Sequence, residues 1–216
     1  RLERVFVLVP EEQTVTVLCL VRHGQSTWNA ERQIQGQLDP PLSELGRAQA
    51  NRVAERLARE RWDVLYSSDL SRARQTAEAI ARRVGLPVRT DPDLREQGQG
   101  KREGMLLEDA NRLYPDPDAP EVGRETHEAL RKRAVAVFQK IRDAHPGGRI
   151  LVVAHGALMA SFLQAALGIT ERIRMENTAC TLLRWDGSRW TCDLFVDASH
   201  LEDLEPPEEL PIAGAE

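Results

Sequence analysis

An α/β fold with helices on both faces of a mostly parallel central sheet is predicted by three features of the sequence. Val17-Leu18-Cys19-Leu20-Val21 and Ile150-Leu151-Val152-Val153-Ala154 are short apolar runs without polar alternation, the pattern of strands buried on both sides. Segments with helical periodicity separate these and other short strand-like runs, an order that produces a three-layer α/β/α sandwich. Asp186-Gly187 lies between two β-prone runs, a hairpin signal that adds an antiparallel pair to the parallel sheet. We expect one domain over residues 15–204 with a lid insertion at about 98–124. Residues 1–14 are expected to form an extension, and the acidic, proline-containing residues 205–216 a tail, both outside the core.

The elements follow in chain order. The first strand, 17–21, runs into Arg22-His23-Gly24. Residues 26–39 are polar and turn-rich, and Pro40-Pro41 blocks a helix there. Ser43 caps a helix to about Arg61, with Leu45, Ala48, Val53, Leu57 and Ala58 as its apolar stripe. Val64-Leu65-Tyr66 reads as a second strand. The next helix starts near Asp69 or Ser71, both competent caps, carries Arg72 in its first turn, and stops at Gly85. Residues 88–90 suggest a third strand. The glycine- and proline-rich stretch from Gly98 to Arg124 reads either as a lid or as a plain surface insertion, partly helical around residues 106–113. A helix over about 125–144 presents Leu130, Ala134, Val137, Phe138 and Ile141 on one face. Pro146-Gly147-Gly148 then turns the chain into the strand ending at Ala154, and residues 157–167 form an apolar helix closed by Gly168.

Composition narrows the class. Charged residues are 29% and hydrophobic residues 41% of 216, ordinary for a globular chain. A formal net charge of -5 argues against nucleic acid or a membrane surface as general partner. Any anion site must then be a local gathering of arginines. Cys19, Cys180 and Cys192 are odd in number and lack Cys-x-x-Cys spacing, so neither a disulfide framework nor a zinc site is indicated, and a reducing, cytoplasmic setting is expected. No apolar run reaches transmembrane length, and residues 5–9, closed by Pro10, are too short for a secretion signal.

The chemistry lies at strand exits and helix starts. Ligands of open α/β sheets bind outside the carboxyl ends of the strands. There the sequence puts Arg22 and His23, and after the second buried run His155 and Gly156. A lone histidine would be read as a satisfied core residue, but two in one sheet context, one preceded by Arg, point to a shared rim. Arg22 and Arg72 can each offer a planar fork to phosphate oxygens. Arg72 in a helix's first turn conflicts with the positive end of the dipole, a conflict that a docked anion would remove; a solvated side chain is the alternative. Neither common nucleotide-binding glycine loop is present. The histidines lack the i,i+4 spacing of zinc ligands and no carboxylate cluster completes a divalent site, so neither metal nor cofactor is expected. Covalent catalysis remains: an imidazole attacks phosphorus, water releases the phosphohistidine, and Glu96 protonates the leaving alcohol.

The wording around these residues resembles the histidine phosphatase superfamily, the phosphoglycerate-mutase-like group. Arg22-His23-Gly24-Gln25-Ser26-Thr27-Trp28-Asn29 is similar to its signature, with Gln25 and Ser26 as mild departures. Gln35-Gly36-Gln37-Leu38-Asp39-Pro40-Pro41-Leu42-Ser43, Ser67-Ser68-Asp69-Leu70-Ser71-Arg72-Ala73-Arg74, Leu94-Arg95-Glu96, Glu125-Thr126 with Arg133, and Val153-Ala154-His155-Gly156 follow in family order. Arg102 stands where the family usually has an aromatic, and Ser199-His200-Leu201 is also familiar. The resemblance runs from about residue 17 to 204. It implies a phosphoglycerate-mutase-like sandwich with His23 as the phosphorylated nucleophile. Arg22, Arg72, His155 and Gly156 would hold the phosphoryl group, Asn29 would add a donor, and Glu96 would serve as acid and then base. Gln35 and the lid residue Arg102 are expected near the non-reacting part of the substrate.

Three activities fit such a chain. Residues 104–124 hold only Arg112 and Arg124 as cations beside Glu108, Asp109, Asp116, Asp118 and Glu121. So acidic a lid would hold a second phosphate poorly. A phosphatase acting on a small phosphorylated metabolite is therefore the leading expectation. A phosphoglycerate mutase is the alternative, and an inactive binding module on the same fold a further one. A homodimer is left open.

Overall fold

A computed structural model of the chain describes residues 14–204; the N-terminal extension up to residue 13 and the tail from 205 lie outside the described residues. Six strands form one sheet: β1 Thr16–Arg22, β2 Val64–Ser67, β3 Val88–Thr90, β4 Arg149–Ala154, β5 Cys180–Trp185 and β6 Trp190–Asp197. Their spatial order is β3-β2-β4-β1-β5-β6. β1, β2, β3 and β4 run parallel, and β5 and β6 add the antiparallel hairpin at one edge.

Both faces of the sheet are covered, as the unbroken apolar runs require. Leu18, Leu20, Ile150 and Val152 face α5 (His127–Asp143) and α6 (Gly156–Leu167), where Phe138 and Phe162 meet with ring centroids 4.4 Å apart. Val17, Cys19, Val21, Leu151 and Val153 face α2 (Glu44–Leu57) and α3 (Ser71–Val84). The result is the expected α/β/α sandwich. Among the described residues no helix is long and apolar enough to cross a membrane.

Local departures from the sequence reading have identifiable causes. α1 (Thr27–Ala30) forms inside the stretch expected to be irregular, because Ser26 and Asn29 close a reciprocal capping box. α2 stops at Leu57 rather than near Arg61, where Ala58 caps it and the Trp62 indole N–H donates to the Leu57 carbonyl at 2.9 Å. α3 is capped by neither Asp69 nor Ser71: its N-cap is Leu70, which offers no side-chain bond. Asp69 is paired with Arg95 instead, while the carboxylate of Asp39 accepts from the Ser71 amide and hydroxyl, capping the helix from outside. α5 begins after Thr126, whose hydroxyl accepts from the Ala129 amide, and this leaves Glu125 free for a tertiary ion pair. In the 98–124 insertion, α4 (Leu107–Leu113) matches the expected helical part, flanked by short 3-10 turns at Gly100–Arg102 and Pro120–Val122.

One packing constraint controls the loop after β1. A Cβ on Gly46 would lie 1.8 Å from the Gln25 carbonyl oxygen, and one on Gly24 would lie 2.4 Å from that of Gly46. The first turn of α2 and the loop following His23 therefore touch backbone to backbone, which only glycine permits. Gly46→Ala is expected to cost about 1–3 kcal/mol of stability, the range for overpacking a tight site, and to lower activity by moving that loop. Urea denaturation checks this; a variant as stable and active as the parent would contradict it.

Candidate active site

Register brings the two histidines together. β1 and β4 pair in parallel with Arg22 opposite Ala154, and the His23 amide donates to the Ala154 carbonyl at 3.0 Å. The residue after each strand end is a histidine, and their ring centroids lie 5.1 Å apart. Both rings are buried, His23 at 2% and His155 at 0% exposure.

Their surroundings set their protonation. His23 Nδ1 lies 2.7 Å from the Gly24 carbonyl oxygen. A carbonyl only accepts, so Nδ1 carries the hydrogen and Nε2 keeps its lone pair. Burial first, then the Arg22 and Arg72 guanidiniums, holds the His23 imidazole well below the usual histidine range. His155 is pushed down in the same direction by burial, Arg72, His23 and Arg22. Neither ring nitrogen of His155 has a hydrogen-bond partner among the described residues. Such a buried, unsatisfied group carries a desolvation cost of about 1–3 kcal/mol, which a phosphoryl oxygen could relieve.

The two arginines are fixed without being neutralised. Arg72 donates to the Leu38 and Gly36 carbonyls at 2.8 Å each, and Arg22 donates to the Met175 carbonyl at 2.5 Å. Burial lowers the pKa of Arg72 to about 10 and lowers that of Arg22, so both stay cationic at neutral pH. The dipole conflict at Arg72 is met partly by Asp39, which caps the helix and favours the charged guanidinium.

Glu96 reaches the start of α6. Its carboxylate accepts from the Gln97, Ala157 and Leu158 amides at 2.9, 3.1 and 3.2 Å. A Cβ on Gly156 would lie 3.6 Å from Arg22 Nε and 3.9 Å from Glu96 Oε2, so these groups meet around that glycine. The strand-end and helix-start residues Arg22, His23, Arg72, Glu96, His155 and Gly156 are thus gathered at one rim. Asn29 and Gln35 are tied to Ser26: the Asn29 carboxamide oxygen accepts from its amide at 3.2 Å and Gln35 Oε1 from its hydroxyl at 2.7 Å. Arg102 is buried and donates to Asn111 of α4, bracing the 98–124 segment from within.

Several supporting residues carried no role in the sequence reading. Arg133 pairs with Glu125 at 2.6 Å and donates to the Arg95 and Glu96 carbonyls, clamping the segment that carries Glu96. Thr76 accepts from the Gly24 amide, and Asn177 donates to the His23 carbonyl at 3.0 Å. Thr178, with φ of 60°, donates its amide to the Arg22 carbonyl, and its hydroxyl lies 3.0 Å from His200 Nε2. His200 Nδ1 is 3.1 Å from the Arg56 guanidinium, which forces the imidazole hydrogen onto Nε2. Arg133 and His200 carried a sequence signal, their place in family-like blocks, whereas Asn177, Thr178 and Arg56 carried none.

Comparison with known proteins agrees with the geometry. The family model described as the histidine phosphatase superfamily (branch 1) matches residues 18–198. Phosphoglycerate mutase-like protein 4 of Arabidopsis thaliana is 40% identical over 208 residues, covering 89% of this chain and 90% of that one. The metal-independent phosphoserine phosphatase of the same plant is 33% identical, covering 91% and 87%. Among solved structures, Bacillus stearothermophilus YhfR superposes with a TM-score of 0.81 at 31% identity, covering 87% of this chain and 100% of that one.

The buried imidazoles make stability depend on pH. His23 and His155 are pushed down, and His200 is pushed down to about 4 by burial and Arg56. The folded state therefore binds fewer protons than the unfolded chain below about pH 6.5. Stability is complete above that value and declines as the pH falls toward 4. Thermal denaturation should give a clearly lower Tm at pH 5 than at pH 7, a window above the range in which paired carboxylates titrate. A flat profile between those two values would contradict the neutral, buried histidines.

Proposed function

The chain belongs to the histidine phosphatase superfamily, and from that premise we propose that it hydrolyses small phosphomonoesters, without metal, through a phosphohistidine on His23. The observation that carries this reading is the His23 ring: neutral, its Nδ1 hydrogen held by a carbonyl, its Nε2 lone pair beside two cationic guanidiniums and the unsatisfied His155. Nε2 attacks phosphorus and the P–O bond to the alcohol breaks. The leaving oxygen takes the proton of the Glu96 carboxyl. Water then attacks the phosphohistidine, giving its proton to Glu96 as the P–N bond breaks and the imidazole returns to its starting state. Arg22, Arg72 and His155 hold the equatorial oxygens throughout, with the Asn29 amide as a further donor, so charge stabilisation is supplied by fixed groups.

Metal independence is part of the proposal. It is supported by the arginines that supply the positive charge. A cytoplasmic setting agrees with the three free cysteines Cys19, Cys180 and Cys192.

Water as the acceptor is favoured by the acidic lid, in which Asp118 already occupies Arg124 at 2.8 Å. The mutase reading keeps one observation in its favour, because the cleft beside Arg22 and Glu96 draws cations from elements other than the lid. Incubation with 3-phosphoglycerate separates the two: phosphate release without isomerisation is expected, and isomerisation faster than release would overturn the hydrolase assignment.

His23→Ala is expected to abolish both turnover and the acid-labile phosphoenzyme trapped from a labelled ester; a labelled intermediate in that variant would exclude His23 as nucleophile. Glu96→Gln should slow alkyl phosphates by about 10²- to 10⁴-fold, the usual contribution of a general acid, while nitrophenyl phosphate, with its good leaving group, loses far less. Equal losses on the two esters would remove Glu96 from the acid role.

A further inference from the structure

Arg72 is aimed by one short turn. Residues 35–38 close on themselves, the Leu38 amide donating to the Gln35 carbonyl at 3.0 Å. The two Nη atoms of Arg72 donate to the Gly36 and Leu38 carbonyls, on either side of Gln37, at 2.8 Å each. The direction of those carbonyls therefore decides the direction of the guanidinium fork.

The peptide unit joining Gly36 to Gln37 has a second holder. In a trans peptide the C=O and the N–H lie in one plane and point to opposite sides. The C=O of this unit accepts from Arg72, and its N–H donates to Glu103 Oε1 at 3.0 Å. A guanidinium thus grips one end of the peptide and a carboxylate the other. Hydrogen bonds to charged groups are the strong ones, and bonds in series polarise one another.

The approach of that carboxylate is built into the chain. Gly36 has a φ of 51°, and a Cβ on it would lie 2.0 Å from Glu103 Oε1. Only glycine lets the carboxylate lie against the turn. The same Oε1 accepts from the Gln99 amide at 2.8 Å, and the neighbouring Gly104 amide donates to the Ile34 carbonyl at 2.8 Å, so Glu103 is itself held in place. The Gln37 carboxamide extends the link, its Nε2 donating to the Glu96 carbonyl at 3.1 Å.

We infer that Glu103 is a positioning residue for phosphoryl transfer, acting through the Gly36–Gln37 peptide to aim the Arg72 guanidinium at the phosphoryl oxygens. The place of Arg72 at those oxygens rests on the phosphatase reading above. Glu103 ties the 98–124 insertion to that centre without touching substrate.

Binding of inorganic phosphate to the full chain, followed by calorimetry, tests this role without requiring turnover. Glu103→Leu is expected to weaken binding about tenfold or more, whereas Glu103→Gln, whose carboxamide oxygen can accept from the same two amides, stays within about threefold of the parent. Arg72→Lys supplies a point charge that does not bridge two carbonyls. In that background Glu103→Leu should cost under about threefold, a dependence on the fork of Arg72 that a merely structural glutamate would not show. Circular dichroism checks each fold. If Glu103→Leu does not fold, Glu103→Asp, whose carboxylate is one methylene shorter, replaces it, with a loss of about threefold or more expected in the parent and none in the Arg72→Lys background. Unchanged affinity in Glu103→Leu, a Glu103→Gln as weak as Glu103→Leu, or an equal loss in both backgrounds would overturn the positioning role alone, provided that the parent hydrolyses nitrophenyl phosphate. A parent that does not hydrolyse it overturns the phosphatase reading, and the role of Glu103 with it.

Discussion

In-register pairing of β1 with β4 carries Arg22 and Ala154 to the same level of the sheet, so the next residues, His23 and His155, emerge side by side at its carboxyl rim. Both strands are buried on both faces, and a slip of one residue would reverse every side chain in two apolar layers. The core therefore enforces the separation of the imidazoles. The geometry of the candidate site is inherited from hydrophobic packing, and the loops refine a placement that the sheet has already made.

The second constraint is electrostatic. Two guanidiniums and two imidazoles share a buried region, and the arginines are anchored to backbone carbonyls of Gly36, Leu38 and Met175. Carbonyls orient a guanidinium without cancelling its charge. Elsewhere in the molecule arginines meet carboxylates, as in Arg95 with Asp69 and Arg133 with Glu125. The contrast separates arginines that hold the fold from arginines that leave positive charge at the rim. Burial first, and that positive charge second, depress the imidazoles, which keeps His23 neutral.

Around this centre the chain arranges positioning contacts from far apart in sequence. Thr178 and Asn177 hold the backbone of Arg22 and His23, His200 and Arg56 hold Thr178, and Arg133 holds the segment bearing Glu96. Thr178 sits in the left-handed region, which a β-branched residue enters only when its neighbours hold it there. The family-like blocks at Arg133 and Ser199-His200-Leu201 thus acquire a physical meaning: they fix the backbone around Arg22 and the segment bearing Glu96.

Periodicity and turn chemistry determined a good part of this protein before any coordinates. Unbroken apolar runs at 17–21 and 150–154 announced buried parallel strands, Asp186-Gly187 announced the hairpin, and the His-Gly pairs at two strand exits announced that two imidazoles share one rim. These are local or one-dimensional signals, readable because side-chain period follows backbone geometry. What only the tertiary structure decided has no period to read. Asp39 caps a helix that begins 32 positions later, Glu125 serves Arg133 rather than its own helix, and Arg102 turns into the lid. The charge of the cleft likewise comes from α5 and from the segment after α6, whereas the lid's own sequence pointed to an acidic surface. Coulomb and hydrogen-bond partners are chosen by distance in space, and that distance exists only once the chain has folded.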